Sequence, residues 1–76
     1  MIIFSEHSLL KLKQRNIEKI LVIKTIHHPD YTAQGYSNRK IVYKKFEHLY
    51  LKVVFMKHND DYLIITQHWD KNFKPK

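Results

Sequence analysis

His7, Lys11 and Arg15 stand four residues apart near the start of the chain. In a helix that spacing puts an imidazole, an ammonium and a guanidinium along one side. Arg39, Tyr43, Tyr50, Lys52 and His68 recur in later runs that alternate like strands. Groups of these types suit cleavage of RNA without a metal. The reaction uses the neighbouring 2′-hydroxyl as nucleophile. It needs a base for that proton, cations for the crowded anionic phosphorus, and a proton for the departing 5′-oxygen. His7 is suited to proton transfer because imidazole titrates near neutrality, and His68 is the second candidate. Arg15 and Arg39 offer planar forks for phosphate oxygens. Lys52 can neutralise developing charge. Lys11 adds a backbone contact, and Tyr36, Tyr43 and Tyr50 offer rings for stacking on a base.

The structural reading of each residue is plainer. A histidine at a helix start can simply bond backbone. A lysine on an open sheet face is normally just solvated. Tyrosines more often pack than catalyse. The pair His27–His28 invites a metal, but adjacent helical histidines point apart. No HxxxH pair or carboxylate cluster accompanies them, so no metal is expected. With Pro29 and Asp30 they read as a helix exit, where imidazole suits the dipole. A glycine-rich phosphate loop is absent, so nucleotide hydrolysis is not expected and no cofactor is implied.

Composition narrows the class. The chain has 76 residues, 14 basic against seven acidic, for a net charge of +7. That size allows one domain, here residues 1–76, with a small core. The charge favours an anionic partner, nucleic acid first. No cysteine is present, which removes disulfides and thiolate metal sites. Abundant tyrosine and phenylalanine argue against disorder. No apolar run reaches membrane-spanning length, and MIIFSEHSLL lacks the basic leader of a secretion signal. A cytoplasmic protein with no membrane contact is the expectation.

The elements that must hold these side chains follow from periodicity and punctuation. Met1–Phe4 reads as an edge strand or apolar arm. Ser5 is an N-cap for a helix running to about Arg15, with Leu9, Leu10 and Leu12 expected on its buried side. Asn16 tolerates the left-handed conformation and ends that helix, and Ile17 packs beneath the turn. A second helix, apolar around much of its circumference, covers about Glu18 to His28 and stops at Pro29. A short strand is expected within Tyr31–Tyr36. Three longer strands follow at Lys40–Phe46, Leu49–Met56 and Asp61–Trp69, joined by tight links at Glu47–His48 and Asn59–Asp60. The fold class expected is α+β: two N-terminal helices on one face of a three- to five-stranded, mainly antiparallel sheet. The other face is left available, with Tyr50, Lys52, Tyr62, Thr66 and His68 assigned to it. The tail KNFKPK is expected to be frayed or bound to a partner.

The opening His7–Lys11–Arg15 motif, the Asn16–Ile17 turn, the Pro29–Asp30 exit and Gly35, Tyr36 and Arg39 before the strands carry a resemblance. Over about residues 3–69, the chain resembles a family of small domains related to BrnT-like toxins, within the wider RelE/ParE toxin superfamily. Asn16 stands where that family usually has glycine, and Lys11 where it often has arginine. Asn16 keeps the turn, whereas Lys11 keeps the charge but loses the fork. The resemblance implies a RelE/ParE-like fold and the toxin of a toxin–antitoxin pair. It implies an endoribonuclease acting on mRNA, free or on the ribosome, or else a poison of a protein target such as gyrase. It also implies an antitoxin protein as partner.

Three functions are thus carried forward. The first is a metal-independent endoribonuclease toxin, in which replacing His7 or Arg39 is expected to abolish cleavage. The second is a toxin that binds a protein target without cutting RNA. The third is a noncatalytic module that binds nucleic acid or a partner, its affinity falling with salt.

Overall fold

The computed structural model describes residues 1–75. Its elements in chain order are β1 (Ile2–Phe4), α1 (Glu6–Arg15), α2 (Lys19–His27), β2 (Tyr31–Gln34), β3 (Arg39–Phe46), β4 (Leu49–His58) and β5 (Asp61–Asp70). The strands form one sheet of five, in the order β1-β5-β4-β3-β2. All neighbours are antiparallel except β1, which runs parallel to β5. The α+β class and the helix-backed sheet expected from the sequence are present.

Local signals explain most boundaries. The Ser5 hydroxyl accepts from the Ser8 N–H at 3.0 Å and caps α1. Asn16 ends the helix in the left-handed region, at φ 54° and ψ 49°. Its N–H donates to the Lys13 carbonyl, and the Ile17 N–H reaches back to Leu12, a Schellman closure without glycine. Ile17 is buried beneath that turn. The hairpins close where the links fall: Phe46 pairs with Leu49, and His58 with Asp61. Ser37 and Asn38 take positive φ values of 55° and 62° between β2 and β3. That pairing of conformations matches the right-handed twist of the flanking strands.

The core lies between the helices and one sheet face. Leu12, Ile17, Val22 and Ile26 meet Val42, Leu51, Val53, Phe55 and Ile64. One expectation fails on α1. Leu9 and Leu10 are exposed, at 41% and 53%, and Ser8 is fully buried beside Leu12 instead. Ser8 and Leu12 are one helical turn apart, so the inward stripe is narrow, and its polar member is satisfied across the interface.

A second correction concerns Tyr62. The β4–β5 register slips between Val54 and Phe55, so that Val54 faces Thr66 but Phe55 faces Ile64. Ile65 is the extra residue. A bulge of this kind reverses the alternation of everything before it. Tyr62 and Ile64 therefore lie on the helix side, and Tyr62 stacks on Phe55 at 5.4 Å rather than joining the open face.

The exit from α2 sets the position of β2. Lys44 Nζ donates to the His28 carbonyl at 3.0 Å, next to Pro29. The Asp30 N–H donates to the Tyr43 carbonyl, and the Asp30 carboxylate accepts from the Lys45 N–H. These bonds deliver Tyr31 opposite Tyr43. The tail also departs from expectation. Asn72 N–H bonds the Asp70 carboxylate at 3.0 Å and turns the chain back over the sheet, where Phe73 packs.

Candidate nucleic-acid interface

The sheet face turned away from the helices carries the candidate groups in rows set by strand register. One row crosses Tyr31, Tyr43, Lys52 and His68 on β2, β3, β4 and β5. The next holds Lys45, Tyr50 and Asp70. On the other side lie Ala33, Ile41, Val54 and Thr66. Directly opposed residues on neighbouring strands have Cβ atoms about 5 Å apart. The ammonium stem of Lys52 is thus flanked by a phenol on one side and an imidazole on the other.

Arg15 joins this group from α1. Its Nη1 donates to the Gln67 carbonyl at 2.8 Å and approaches Thr66 Oγ1 at 3.4 Å. β1 pairs with β5 only over Tyr62–Ile64, so the backbone of β5 beyond the bulge has no strand on that side. Arg15 caps one of its free carbonyls. The other guanidinium N–H groups of an arginine remain available for an anion.

The surroundings hold His68 uncharged near neutrality. Partial burial disfavours its imidazolium most, and the positive charges of Lys52 and Arg15 add to that, against a smaller opposing effect of Asp70. Its pKa falls below the ordinary 6.5. A neutral imidazole among cations accepts a proton while they attract an anion. Tyr43 moves the other way: burial, then the Asp70 carboxylate, push its phenol above 10.0, and it stays protonated.

Five sequence candidates therefore meet: Arg15, Tyr43, Tyr50, Lys52 and His68. The others do not. Arg39 shares the open face but stands opposite Met56, four residues along β3 from Tyr43, or about 13 Å of strand. His7 is exposed near the far end of α1, about 12 Å of helix from Arg15. Lys11 Nζ bonds the Gln14 side chain at 3.0 Å. Tyr36 projects from the β2–β3 turn, 90% exposed.

Sequence reasoning placed Thr66 on this face but missed Tyr31, Asp70 and Phe73 as members of it. Tyr31 lay in a strand-like run that gave no register. Asp70 and Phe73 lay at and beyond the last predicted strand, although an Asp two residues before Asn72 is a turn signal. A separate groove of about 460 Å³ lies beside α2 and the β3–β4 hairpin, lined by Leu21, Phe46, Leu49 and Trp69. It carries none of these groups. Among the described residues, no three His, Asp or Glu side chains gather as metal ligands would. No helix is long and apolar enough to cross a membrane.

Compared with family models, curated proteins and solved structures, the chain finds no match.

Proposed function

We propose that this protein is a metal-independent endoribonuclease, the toxin of a toxin–antitoxin pair with a RelE/ParE-like fold, and that its open sheet face binds and cuts RNA. The observation that carries the reading is His68, held neutral beside Lys52 and Arg15. His68 takes the proton from a ribose 2′-hydroxyl, and that oxygen attacks the adjacent phosphorus. Lys52 and the free side of Arg15 hold the phosphorus oxygens as negative charge builds. The bond to the 5′-oxygen breaks, and that oxygen leaves with a proton taken from solvent. The products are a 2′,3′-cyclic phosphate and a 5′-hydroxyl. Tyr43 and Tyr50 position a base beside the scissile linkage.

The net charge of +7 supports an anionic substrate. An antitoxin with acidic residues facing Lys52 and Arg15 would neutralise the same surface.

The test is incubation of labelled RNA with wild-type protein in EDTA, with and without ribosomes, beside His68→Ala and Lys52→Ala. Wild-type cleavage is expected, with about a 10²- to 10⁴-fold loss in His68→Ala, the range of a proton-transfer group. Salt-sensitive binding with no cleavage in either arm would replace this reading with that of a noncatalytic RNA-binding module.

A further inference from the structure

Tyr43 lies on the sheet face opposite the helices, yet it is only 9% exposed. Neither helix covers it. Its cover is Phe73, whose ring lies parallel to the Tyr43 ring, with 3.7 Å between centroids and 12° between planes. Tyr50 and Tyr31 present edges to the same ring at 5.0 Å and 5.6 Å. One flat ring thus fills an aromatic slot with a floor and two walls, stacked on the floor and met edge-on at the walls.

The attachment of that ring to the body is slight. Among the described residues, the hydrogen bond from Asn72 N–H to Asp70 is the one that residues 71–75 make with the sheet. Strand pairing ends at Asp70 opposite Tyr50. The tail is held by one hydrogen-bonded turn and the Phe73 ring, with Lys74 and Pro75 lining a pocket beside Thr32 and Ala33 of β2.

We propose that Tyr31, Tyr43 and Tyr50 form a base-stacking subsite, occupied by Phe73 in the free protein, and that a nucleobase of single-stranded RNA displaces that ring on binding. The proposal rests on the RNA reading above and supplies its position-setting subsite. Four features favour a base over an aromatic side chain of a protein. The slot's floor offers a parallel face, which any nucleobase can use regardless of sequence. Lys45 and Lys52 flank it in the adjoining register positions, where a phosphate backbone would pass. Lys71 and Lys74 bracket Phe73 in the tail, so the displaced segment can itself follow the phosphates. Tyr43 and His68 stand on either side of Lys52 in one row, so a base stacked on Tyr43 places its own sugar and phosphate toward His68.

Phe73 then competes in cis with the substrate. Removing an intramolecular competitor raises apparent affinity by the factor by which the open state was under-populated. An aromatic pair of this kind makes that factor roughly two- to tenfold.

The experiment uses a fluorescent 2′-O-methyl oligoadenylate, which lacks the nucleophilic hydroxyl, so binding is read apart from cleavage. Anisotropy titrations compare wild type with Phe73→Ala, each against this oligomer and an abasic one of equal length. The expected result is a two- to tenfold gain for Phe73→Ala on the base-bearing oligomer alone. A second measurement needs no variant: nuclear Overhauser cross-peaks between Phe73 and Tyr43 in the wild-type protein are expected to vanish at saturating oligomer. Unchanged or weaker affinity, an equal gain on the abasic oligomer, or cross-peaks that persist at saturation would each overturn the proposal. A protein that binds this way but cuts no RNA keeps the subsite and loses the nuclease reading. One that cuts RNA with Phe73 undisturbed keeps the nuclease and loses the subsite.

Discussion

Ser8 and Gln67 satisfy one another across the seam between α1 and β5. The Ser8 hydroxyl donates to Gln67 Oε1 at 2.6 Å, and Gln67 Nε2 donates to the Ser8 carbonyl at 3.0 Å. Both residues are fully buried. A buried amide with paired donor and acceptor tolerates little displacement, because any slip leaves a polar atom without a partner. Gln67 therefore fixes the phase of β5 beyond the bulge, and its neighbours Thr66 and His68 must face the open side.

Ser8→Ala leaves Gln67 Oε1 buried and without a donor. The expected loss is about 1–3 kcal/mol in urea unfolding. Replacing both partners, with Gln67→Leu added, is expected to recover part of that loss, since no side-chain amide is then orphaned. An equal or larger loss in the double variant would show that the clasp is not the cause.

The His68 imidazole is expected to titrate below 6.5 by proton NMR, and Lys52→Met to move it upward by removing a nearby positive charge. The sign for stability follows. Between the folded pKa and 6.5 the unfolded chain binds more protons, so protonation of His68 opposes folding. Its contribution is whole above pH 6.5 and is lost as pH falls through the folded value. The acid limb of any cleavage profile should follow the same NMR midpoint. A midpoint above 6.5 would remove the basis for His68 as base.

Tyr43 should ionise above 10.0 in ultraviolet titration. Phe73→Ala uncovers the ring and should bring the midpoint back down, more than Asp70→Asn does, because burial outweighs the carboxylate. The reverse order would mean that the tail does not bury this phenol.

Arg39→Ala and His7→Ala are expected to retain cleavage, contrary to the expectation drawn from the sequence motif. Arg39 lies about 13 Å along β3 from Tyr43, and His7 about 12 Å along α1 from Arg15. If Arg39 meets a phosphate, its loss should flatten the dependence of log affinity on log salt by about 0.7. Loss of cleavage in either folded variant would move the reacting centre away from His68.

Much of this architecture was legible because its causes are local. Asn16, Pro29 and the links at Glu47–His48 and Asn59–Asp60 act through their own backbone or their immediate neighbours. The failures have non-local causes. Leu9 and Leu10 looked inward because they are apolar, whereas Ser8 is inward because Gln67, 59 residues away, completes it. Tyr62 lies on the helix face because strict alternation breaks at Ile65, and a bulge leaves no composition signature. At the candidate site, Arg15, Lys52 and His68 were identifiable by type. Their meeting depends on register across β4 and β5, which no spacing along the chain encodes.

The parallel pairing of β1 with β5 also dictates the order in which this protein can come into being. β3 and β4 close through a two-residue link, at small entropic cost. β1 and α1 are synthesised before β5, and 59 residues separate Ser8 from its partner Gln67. Until β5 follows, the N-terminal segment has no strand to join and its buried serine no amide. The same strand carries His68. Closure of the fold and completion of the row Tyr43, Lys52 and His68 are therefore a single event, and a chain arrested before β5 has neither.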